Sequence, residues 1–148
     1  MKISEIMSTR VITVELDDSL RFINEIMANA KFHHLPVTNN GRLQGMISDR
    51  DILKATSPFL DTDAETRRDF EILNRKAHQI MTRDPITVPS DMPIKDAIHI
   101  LLENGISCLP VIGENERLVG IVTWKDLIKF FGDQLESMAE STTDPPAI

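Results

Sequence analysis

Cysteine and glycine are scarce in this sequence, and each scarcity excludes a class of protein. The single cysteine, Cys108, excludes an intrachain disulfide, and because it lies in an apolar run we expect a small core residue. The six glycines are scattered, so they form no glycine-rich loop of the kind that cradles phosphate. Gly-x-Ser-x-Gly and metal-ligand spacings are missing as well, which predicts a protein with neither a metal site nor catalytic activity.

Positive charge is also in short supply. Lysine and arginine total 16 against 23 aspartate and glutamate residues, giving a net charge of −7, whereas a dedicated nucleic-acid binder usually carries a basic face. Apolar stretches stay well short of the roughly 20 residues of a membrane span, and the N-terminus lacks the apolar run of a secretory signal. We therefore expect a cytoplasmic protein that binds neither nucleic acid nor a membrane.

What the sequence does contain is an internal duplication. The segment HLPVTNNGRLQGMISDRD, from His34 to Asp51, returns as CLPVIGENERLVGIVTWKD, from Cys108 to Asp126. The Leu-Pro-Val triplets lie 74 residues apart and the closing Ser/Thr-x-x-Asp sequences 75 residues apart. The one extra residue therefore falls in the polar turn between them, where insertions are tolerated best. The Ile-Thr-Val runs at 12–14 and 86–88 are also 74 residues apart.

The first copy predicts the order strand, helix, strand, strand, helix. A β-branched run over 11–14 precedes an apolar stripe over 20–30, whose spacing of three and four residues is typical of a helix. Strands over 34–38 and 43–48 follow, joined by an Asn-Asn-Gly turn. A helix over 49–55 closes the copy.

The second copy repeats this order. A helix that stops at Gly105 is followed by strands over 108–112 and 118–122, which are joined by a Gly-Glu-Asn turn. The last helix is predicted over 124–131, with Gly132 as its stop.

The duplication also predicts how the chain is divided. Residues 1–56 and 78–132 form the two copies, residues 57–77 form a helical connector, and residues 133–148 form a tail that is disordered beyond about position 138. A single copy is too short to bury much surface alone. We therefore expect an α+β fold in which the two copies pack with pseudo-two-fold symmetry around a cleft.

The ordered set of motifs resembles the cystathionine-β-synthase (CBS) domain. Both copies contain Ile-Met-Ser/Thr, Ile-Thr-Val, a helix, Leu-Pro-Val, and then Gly-Ile-Val-Thr-x-x-Asp, which in the first copy reads Gly-Met-Ile-Ser-x-x-Asp. Two such copies in tandem resemble a Bateman module, and the chain is similar to stand-alone bacterial acetoin-utilisation proteins. The resemblance implies β-α-β-β-α repeats, adenosine-nucleotide binding in clefts between the repeats, homodimers, no required cofactor, and regulation of another protein without catalysis.

The Ser/Thr-x-x-Asp sequences are the first candidate binding sites. Each lies where a strand ends and a helix begins, and a helix N-terminus offers free N–H groups to an anion. The Thr123 hydroxyl can donate to a phosphate, Asp126 can accept from both hydroxyls of a ribose, and Lys125 can neutralise phosphate. The first copy repeats this arrangement with Ser48, Arg50 and Asp51. The alternative is a helix capping box, in which the acid only supports the cap.

The resemblance implies a second group of residues, which encloses the adenine. These residues lie before each Leu-Pro-Val triplet and in the first strand of each copy: Phe32, His33, His34, Ile106, Ser107, Cys108, Thr13 and Thr87. Phe32 or Ile106 would cover a purine face, and a histidine would reach phosphate. Because His33 and His34 are adjacent on an extended segment, we expect only one of them to enter a given cleft. Trp124 either lies over a base or packs against the other copy.

Two functions compete at this point. The first is a sensor of adenosine-containing ligands such as AMP, ADP, ATP, S-adenosylmethionine or NADH, whose bound state a partner protein reads. The second is a structural or protein-interaction module that binds no nucleotide, in which the two Ser/Thr-x-x-Asp sequences only cap helices. In either case the apolar residues of the last helix are more than one helix face needs, which predicts a homodimer: Leu127, Ile128, Phe130 and Phe131.

Overall fold

The chain folds into two halves with the same order of elements. The computed structural model describes residues 1–30, 33–56, 63 and 67–141. The first half contains β1 (Val14–Glu15), α1 (Leu20–Ala30), β2 (His34–Asn39), β3 (Arg42–Ser48) and α2 (Asp49–Ala55). The connecting region contains α3 (Arg67–Glu71), α4 (Ala77–Ile80) and β4 (Thr82–Arg83). The second half contains β5 (Val88–Pro89), α5 (Ile94–Asn104), β6 (Cys108–Ile112), β7 (Leu118–Thr123) and α6 (Trp124–Ser141).

Each half is built on one small sheet. The first sheet has the order β1-β2-β3-β4, with β1 parallel to β2 and the other pairs antiparallel. The second has the order β5-β6-β7, with β5 parallel to β6 and β6 antiparallel to β7. The long helices α1 and α5 each bury an apolar stripe with three- and four-residue spacing, as amphipathic helices at a core do.

The hairpin turns explain the one-residue difference between the copies. In the first half Asn40 and Gly41 have φ of 53° and 82°, and positive φ at both central residues is typical of a tight two-residue hairpin turn. In the second half a 3-10 turn over Glu114–Glu116 replaces it, with φ of 56° at Asn115 and 60° at Glu116. The extra residue is accommodated in this turn, and the strand pairing on either side is preserved.

The residues that precede the first half are buried in the second half. Ile3 is fully buried among residues that include Val88, Ile94 and Leu101. The Ile3 N–H donates to the Met92 carbonyl at 2.9 Å. The N-terminal segment therefore completes the core of the second half, although it directly precedes the first half in the chain.

The residues that precede the second half are buried in the first half in the same way. Ala77 and Ile80 belong to the core of the first half, and the Ala77 N–H donates to the Asp18 carbonyl at 2.8 Å. Immediately afterwards β4 pairs with β3, just as Ser8 forms an antiparallel bridge with Ile121 of β7. Residues 3–10 and 77–84 are called the leading segments here, because each precedes one half in the chain and contacts the other half.

Glycine is required where these leading segments cross the strands. A Cβ at Gly120 would lie 2.7 Å from the sulfur of Met7, and a Cβ at Gly45 would lie 2.7 Å from the carbonyl oxygen of Thr82. Side-chain carbons do not come so close to non-bonded atoms. A larger residue at Gly45 would therefore push the crossing backbone away from the sheet, and one at Gly120 would displace the Met7 side chain.

The α+β fold of paired β-α-β-β-α repeats is confirmed, and the predicted helix over 49–55 has the observed bounds. The predicted strand over 11–14 is wrong, because only the last of these residues belongs to β1 (Val14–Glu15). The predicted stop at Gly132 is also wrong, because α6 continues to Ser141. Residues 142–148 of the tail that was predicted to be disordered lie outside the residues that the structure describes. A glycine inside a helix costs only about 1 kcal/mol, which the good helix formers around it outweigh. The division of the chain at 56, 78 and 132 stays a prediction.

The exchange of leading segments predicts a large effect from a residue near the chain terminus. Ile3→Ala should lower the free energy of unfolding by about 2–5 kcal/mol, because it leaves a cavity in the core of the second half. Urea denaturation followed by circular dichroism measures this value. Leu102→Ala, at an exposed leucine on α5, is the control and should change it by less than about 0.5 kcal/mol. An equally small effect of Ile3→Ala would show that the segment is not part of that core.

Candidate functional site

Two clefts lie between the halves, and each is named here by the aspartate that lines it. The Asp126 cleft, of about 820 Å³, is lined by Ser8, Arg10, Val11, Ile12, Ala30, His33, His34, Ser107, Ile121, Thr123, Trp124, Lys125, Asp126 and Lys129. The Asp51 cleft, of about 650 Å³, is lined by His33, His34, Met46, Ser48, Asp49, Arg50, Asp51, Lys54, Thr82, Asp84, Pro85, Ile86, Gly105, Ile106, Ser107, Cys108 and Pro110. Each cleft is lined by the strand-to-helix junction of one half and by the leading segment that precedes the other half.

In the Asp51 cleft the acid forms a capping box at the start of α2. The Ser48 N–H donates to Asp51 Oδ2 at 2.9 Å, and the Asp51 N–H donates to Ser48 Oγ at 3.2 Å. Ser48 Oγ also donates to Asp51 Oδ2 at 3.1 Å. A capping box is therefore present at the start of α2, and such a cap is compatible with a ligand contact at the same side chains.

The start of α6 has the same hydrogen bonds. The Thr123 N–H donates to Asp126 Oδ2 at 2.9 Å, and the Asp126 N–H donates to Thr123 Oγ1 at 3.4 Å. Thr123 Oγ1 lies 3.2 Å from the same Oδ2 atom. Both acids are half-buried, so the caps hold their carboxylates in fixed positions at the cleft walls without sealing them from solvent.

A hydroxyl from the other half reaches each carboxylate. Ser8 Oγ donates to Asp126 Oδ1 at 3.1 Å, and Thr82 Oγ1 donates to Asp51 Oδ1 at 3.2 Å. Sequence reasoning did not assign these hydroxyls to the sites, although the duplicated Met-Ser and Met-Thr pairs were a signal that could have found them. Each carboxylate thus links a helix start of one half to the leading segment of the other.

The two histidines lie where the clefts meet. His33 Nδ1 is 2.7 Å from Asp49 Oδ2, and His34 Nε2 is 3.4 Å from Ser107 Oγ. Burial lowers the pKa of His34, against an opposing effect of Asp49. The expectation that only one histidine enters a given cleft is wrong. His33 precedes β2, so strand alternation does not apply, and both histidines line both clefts.

Apart from the two histidines, the residues expected around the adenine divide into three groups. Ile106, Ser107 and Cys108 line the Asp51 cleft, and Ser107 also lines the Asp126 cleft. Thr13 and Thr87 line neither cleft, and their neighbours Ile12 and Ile86 line the clefts instead. Phe32 lies outside the residues that the structure describes.

Cys108 and Trp124 occupy contrasting positions. Cys108 is buried, and desolvation together with the charge of Asp126 raises the pKa of its thiol to about 12, so the thiol stays protonated. Trp124 is 38% exposed, lines the Asp126 cleft, and donates from Nε1 to the Ile106 carbonyl at 3.2 Å. This bond fixes the indole within its own half and leaves part of the ring facing the cleft.

Basic side chains flank both acids on their helices. Lys125 and Arg50 line the clefts as predicted, and Lys129 and Lys54, one turn further along the same helix faces, line them too. None of these four forms an ion pair with another residue in the part of the chain that the structure describes. They are available to a ligand anion.

The described residues contain neither a metal-binding cluster nor a helix that could span a membrane. No group of three or more histidine, cysteine, aspartate or glutamate side chains there could hold a metal ion. Among the described helices, none combines the length and the apolar character needed to cross a membrane.

Comparison with known sequences identifies relatives along most of the chain. The model of the CBS domain matches residues 3–57 and 77–133. A CBS domain-containing protein of Dictyostelium discoideum is 33% identical over 136 residues, which cover 90% of this chain and 93% of that protein. An uncharacterised protein of Methanocaldococcus jannaschii is 34% identical over 130 residues, and the match covers only 46% of its length.

Solved structures share the fold over the same extent. A Vibrio cholerae protein assigned to acetoin utilization (AcuB) superposes with a TM-score of 0.80 at 23% identity, covering 98% of each chain. A CBS domain pair solved in complex with 5′-methylthioadenosine and S-adenosyl-L-methionine has a TM-score of 0.73 at 28% identity, covering 90% of this chain and 98% of that one. With its duplicated motifs, exchanged leading segments and paired clefts, the chain belongs to the CBS-domain family as a tandem pair of CBS domains.

Proposed function

We propose that this protein is a non-catalytic sensor that binds adenosine-containing ligands in its two clefts and signals to a partner protein. The observation that carries the proposal is the pair of half-buried carboxylates, Asp51 and Asp126, each held by a cap at the wall of a cleft. The CBS pair with bound S-adenosyl-L-methionine and 5′-methylthioadenosine, both adenosyl compounds, supports the choice of ligand class.

The carboxylates have acceptor capacity for a ribose. An ionised carboxylate has about four acceptor positions. Asp126 accepts from the Thr123 N–H, the Thr123 hydroxyl and the Ser8 hydroxyl, which leaves one position open. Rotation of the Ser8 hydroxyl would free a second, so the 2′- and 3′-hydroxyls of a ribose could both donate to Asp126. Such charge-assisted hydrogen bonds are roughly twice as strong as neutral ones.

Phosphate and base have partners in the same clefts. At the N-terminus of α6 the N–H groups of Trp124 and Asp126 already donate to the Ser107 carbonyl and to Thr123 Oγ1. The helix still offers the positive end of its dipole to a phosphate, and Lys125 and Lys129 add full charges. The apolar side chains of Ile12 and Trp124 offer surfaces against which a purine can pack. The predicted adenine contacts Ile106 and Cys108 line the Asp51 cleft and Ser107 lines both clefts, and their role as adenine contacts stays part of the proposal.

The position of the clefts between the halves supports a regulatory role. A ligand in either cleft would contact a helix start of one half and the leading segment of the other, so it would favour one relative position of the halves. A partner that binds one of these positions more tightly would then sense the ligand. We place this partner, and the protein itself, in the cytoplasm, where adenine nucleotides are abundant.

One observation favours the alternative, a structural or protein-interaction module without nucleotide. Both carboxylates already accept hydrogen bonds from a cap and from a hydroxyl, and within the described residues no buried side-chain polar atom lacks a partner. The fold therefore has no need of a ligand to complete its hydrogen bonding.

A change at Asp126 separates the two functions. Asp126→Asn keeps an acceptor for the Thr123 cap but removes the charge and an acceptor position, so ATP binding in that cleft should weaken by about 1.5–3 kcal/mol. Isothermal titration calorimetry measures the affinity. The control is Asp91→Asn, at an exposed acid outside both clefts, which should bind ATP as the unaltered protein does. If no adenosine compound raises the melting temperature of the unaltered protein at millimolar concentration, the structural alternative holds.

We also propose that the protein forms homodimers through α6. Leu127 and Phe130 of this helix pack in the second core. Ile128, Phe131 and Leu135 lie on another face at spacings of three and four residues and are 68%, 44% and 66% exposed. A regular apolar stripe of this kind is typical of a helix that pairs with another helix.

Charges placed on this stripe should dissociate the dimer. Light scattering at tens of micromolar should give twice the chain mass for the unaltered protein. The double variant Ile128→Glu with Leu135→Glu should give the mass of a single chain, because pairing would bury two uncompensated charges on each chain. Gln134→Glu, an exposed change on the same helix, serves as the matched control and should leave the dimer intact. A monomeric unaltered protein would refute the dimer.

A further inference from the structure

The duplication allows the two clefts to be compared position by position. Lys125 and Lys129 of the Asp126 cleft correspond to Arg50 and Lys54 of the Asp51 cleft, so each helix contributes two cations and one cap acid. The two helices therefore contribute the same net charge to their clefts. Any difference in what they bind must therefore arise elsewhere in their linings.

Two pairs of corresponding positions differ in charge. Arg10 lies two residues after Ser8 in one leading segment, and Asp84 lies two residues after Thr82 in the other. Trp124 is the first residue of α6, and Asp49 is the first residue of α2. Arg10 therefore differs in formal charge from Asp84, and Trp124 differs in formal charge from Asp49. All four side chains line their clefts.

The clefts consequently have opposite balances of charge. The Asp126 cleft is lined by three cationic side chains and one carboxylate, whereas the Asp51 cleft is lined by two cationic side chains and three carboxylates. His33 and His34 line both and do not distinguish them. A phosphate in the Asp51 cleft would lie among carboxylates, and charges in a cleft act more strongly than charges on an open surface because low-dielectric walls focus their field.

The helix starts strengthen this contrast. Asp49 and Asp51 both lie in the first turn of α2, where they offset the positive end of the helix dipole. The first turn of α6 contains a single acid, Asp126, next to Lys125. Asp49 also lies 2.7 Å from His33, and its carboxylate lines the Asp51 cleft only.

We infer that the two clefts take different classes of adenosine compound. The Asp126 cleft binds phosphate-bearing nucleotides, and the Asp51 cleft binds adenosyl compounds without phosphate that are neutral or positively charged. This inference rests on the proposed function, because it assigns a ligand class to each of the two clefts. The protein would then respond to two chemically distinct signals, one in each cleft.

The test uses ATP and S-adenosylmethionine with the full chain. Calorimetry should give one equivalent of each ligand per chain, and neither ligand should displace the other. Trp124 is the only tryptophan of the sequence and lines the Asp126 cleft, so ATP should change the intrinsic fluorescence.

Charge reversal in the leading segments then tests the cause. Arg10→Asp should weaken ATP binding at least about tenfold, because it replaces an attraction to phosphate with a repulsion. Asp84→Arg should create a second ATP equivalent and weaken S-adenosylmethionine binding at least about tenfold. The controls Lys95→Asp and Glu103→Arg make the same charge changes at exposed positions outside both clefts, and both ligands should bind them as they bind the unaltered protein.

The results that overturn the inference differ from those that overturn the proposed function. Two equivalents of ATP in the unaltered protein, or an Arg10→Asp variant that binds ATP as tightly as Lys95→Asp does, would overturn the assignment of ligand classes alone. Absence of binding for ATP, S-adenosylmethionine and adenosine at millimolar concentration would overturn the proposed function and the inference together.

Discussion

The close crossing of the leading segments over Gly45 and Gly120 fixes the relation between the two halves. At these crossings the backbone and methionine side chains of one half lie against a strand of the other, closer than any side chain on the strand would permit. The crossings bring Ser8 and Thr82 onto the carboxylates of Asp126 and Asp51. The shared cores, the clefts and the geometry of the acids therefore all depend on the same backbone contact.

Much of the fold follows from local pattern. The helical spacing of apolar residues in α1 and α5 and the Ser-x-x-Asp spacing at the start of α2 involve residues close together in the chain, and sequence is informative at that range. The duplication also predicts one strand-to-helix junction, with its acid, in each half. The capping boxes were predicted from the same four-residue spacing and are present.

The parts that were not predicted depend on distant contacts. The apolar character of Ile3 shows that it is buried, but not in which core. The clefts are lined by Ile12 and Ile86 instead of Thr13 and Thr87, because these residues precede β1 and β5, where no strand pairing determines which side chain faces the cleft. The stop predicted at Gly132 is wrong because sequence alone does not show whether a mid-helix glycine ends a helix or only weakens it.

The exchange of leading segments has a consequence for synthesis on the ribosome. Residues 3–8 emerge first, yet the strands and helix that bury them lie between positions 88 and 122 and are made last. The first core, in turn, is incomplete until residues 77–80 have appeared. Contacts so far apart in the chain are slow to form, so the apolar residues of the N-terminal segment stay exposed until the second half has been made. Native folding of either core therefore requires residues from both halves, and the emergence of one half alone does not permit it.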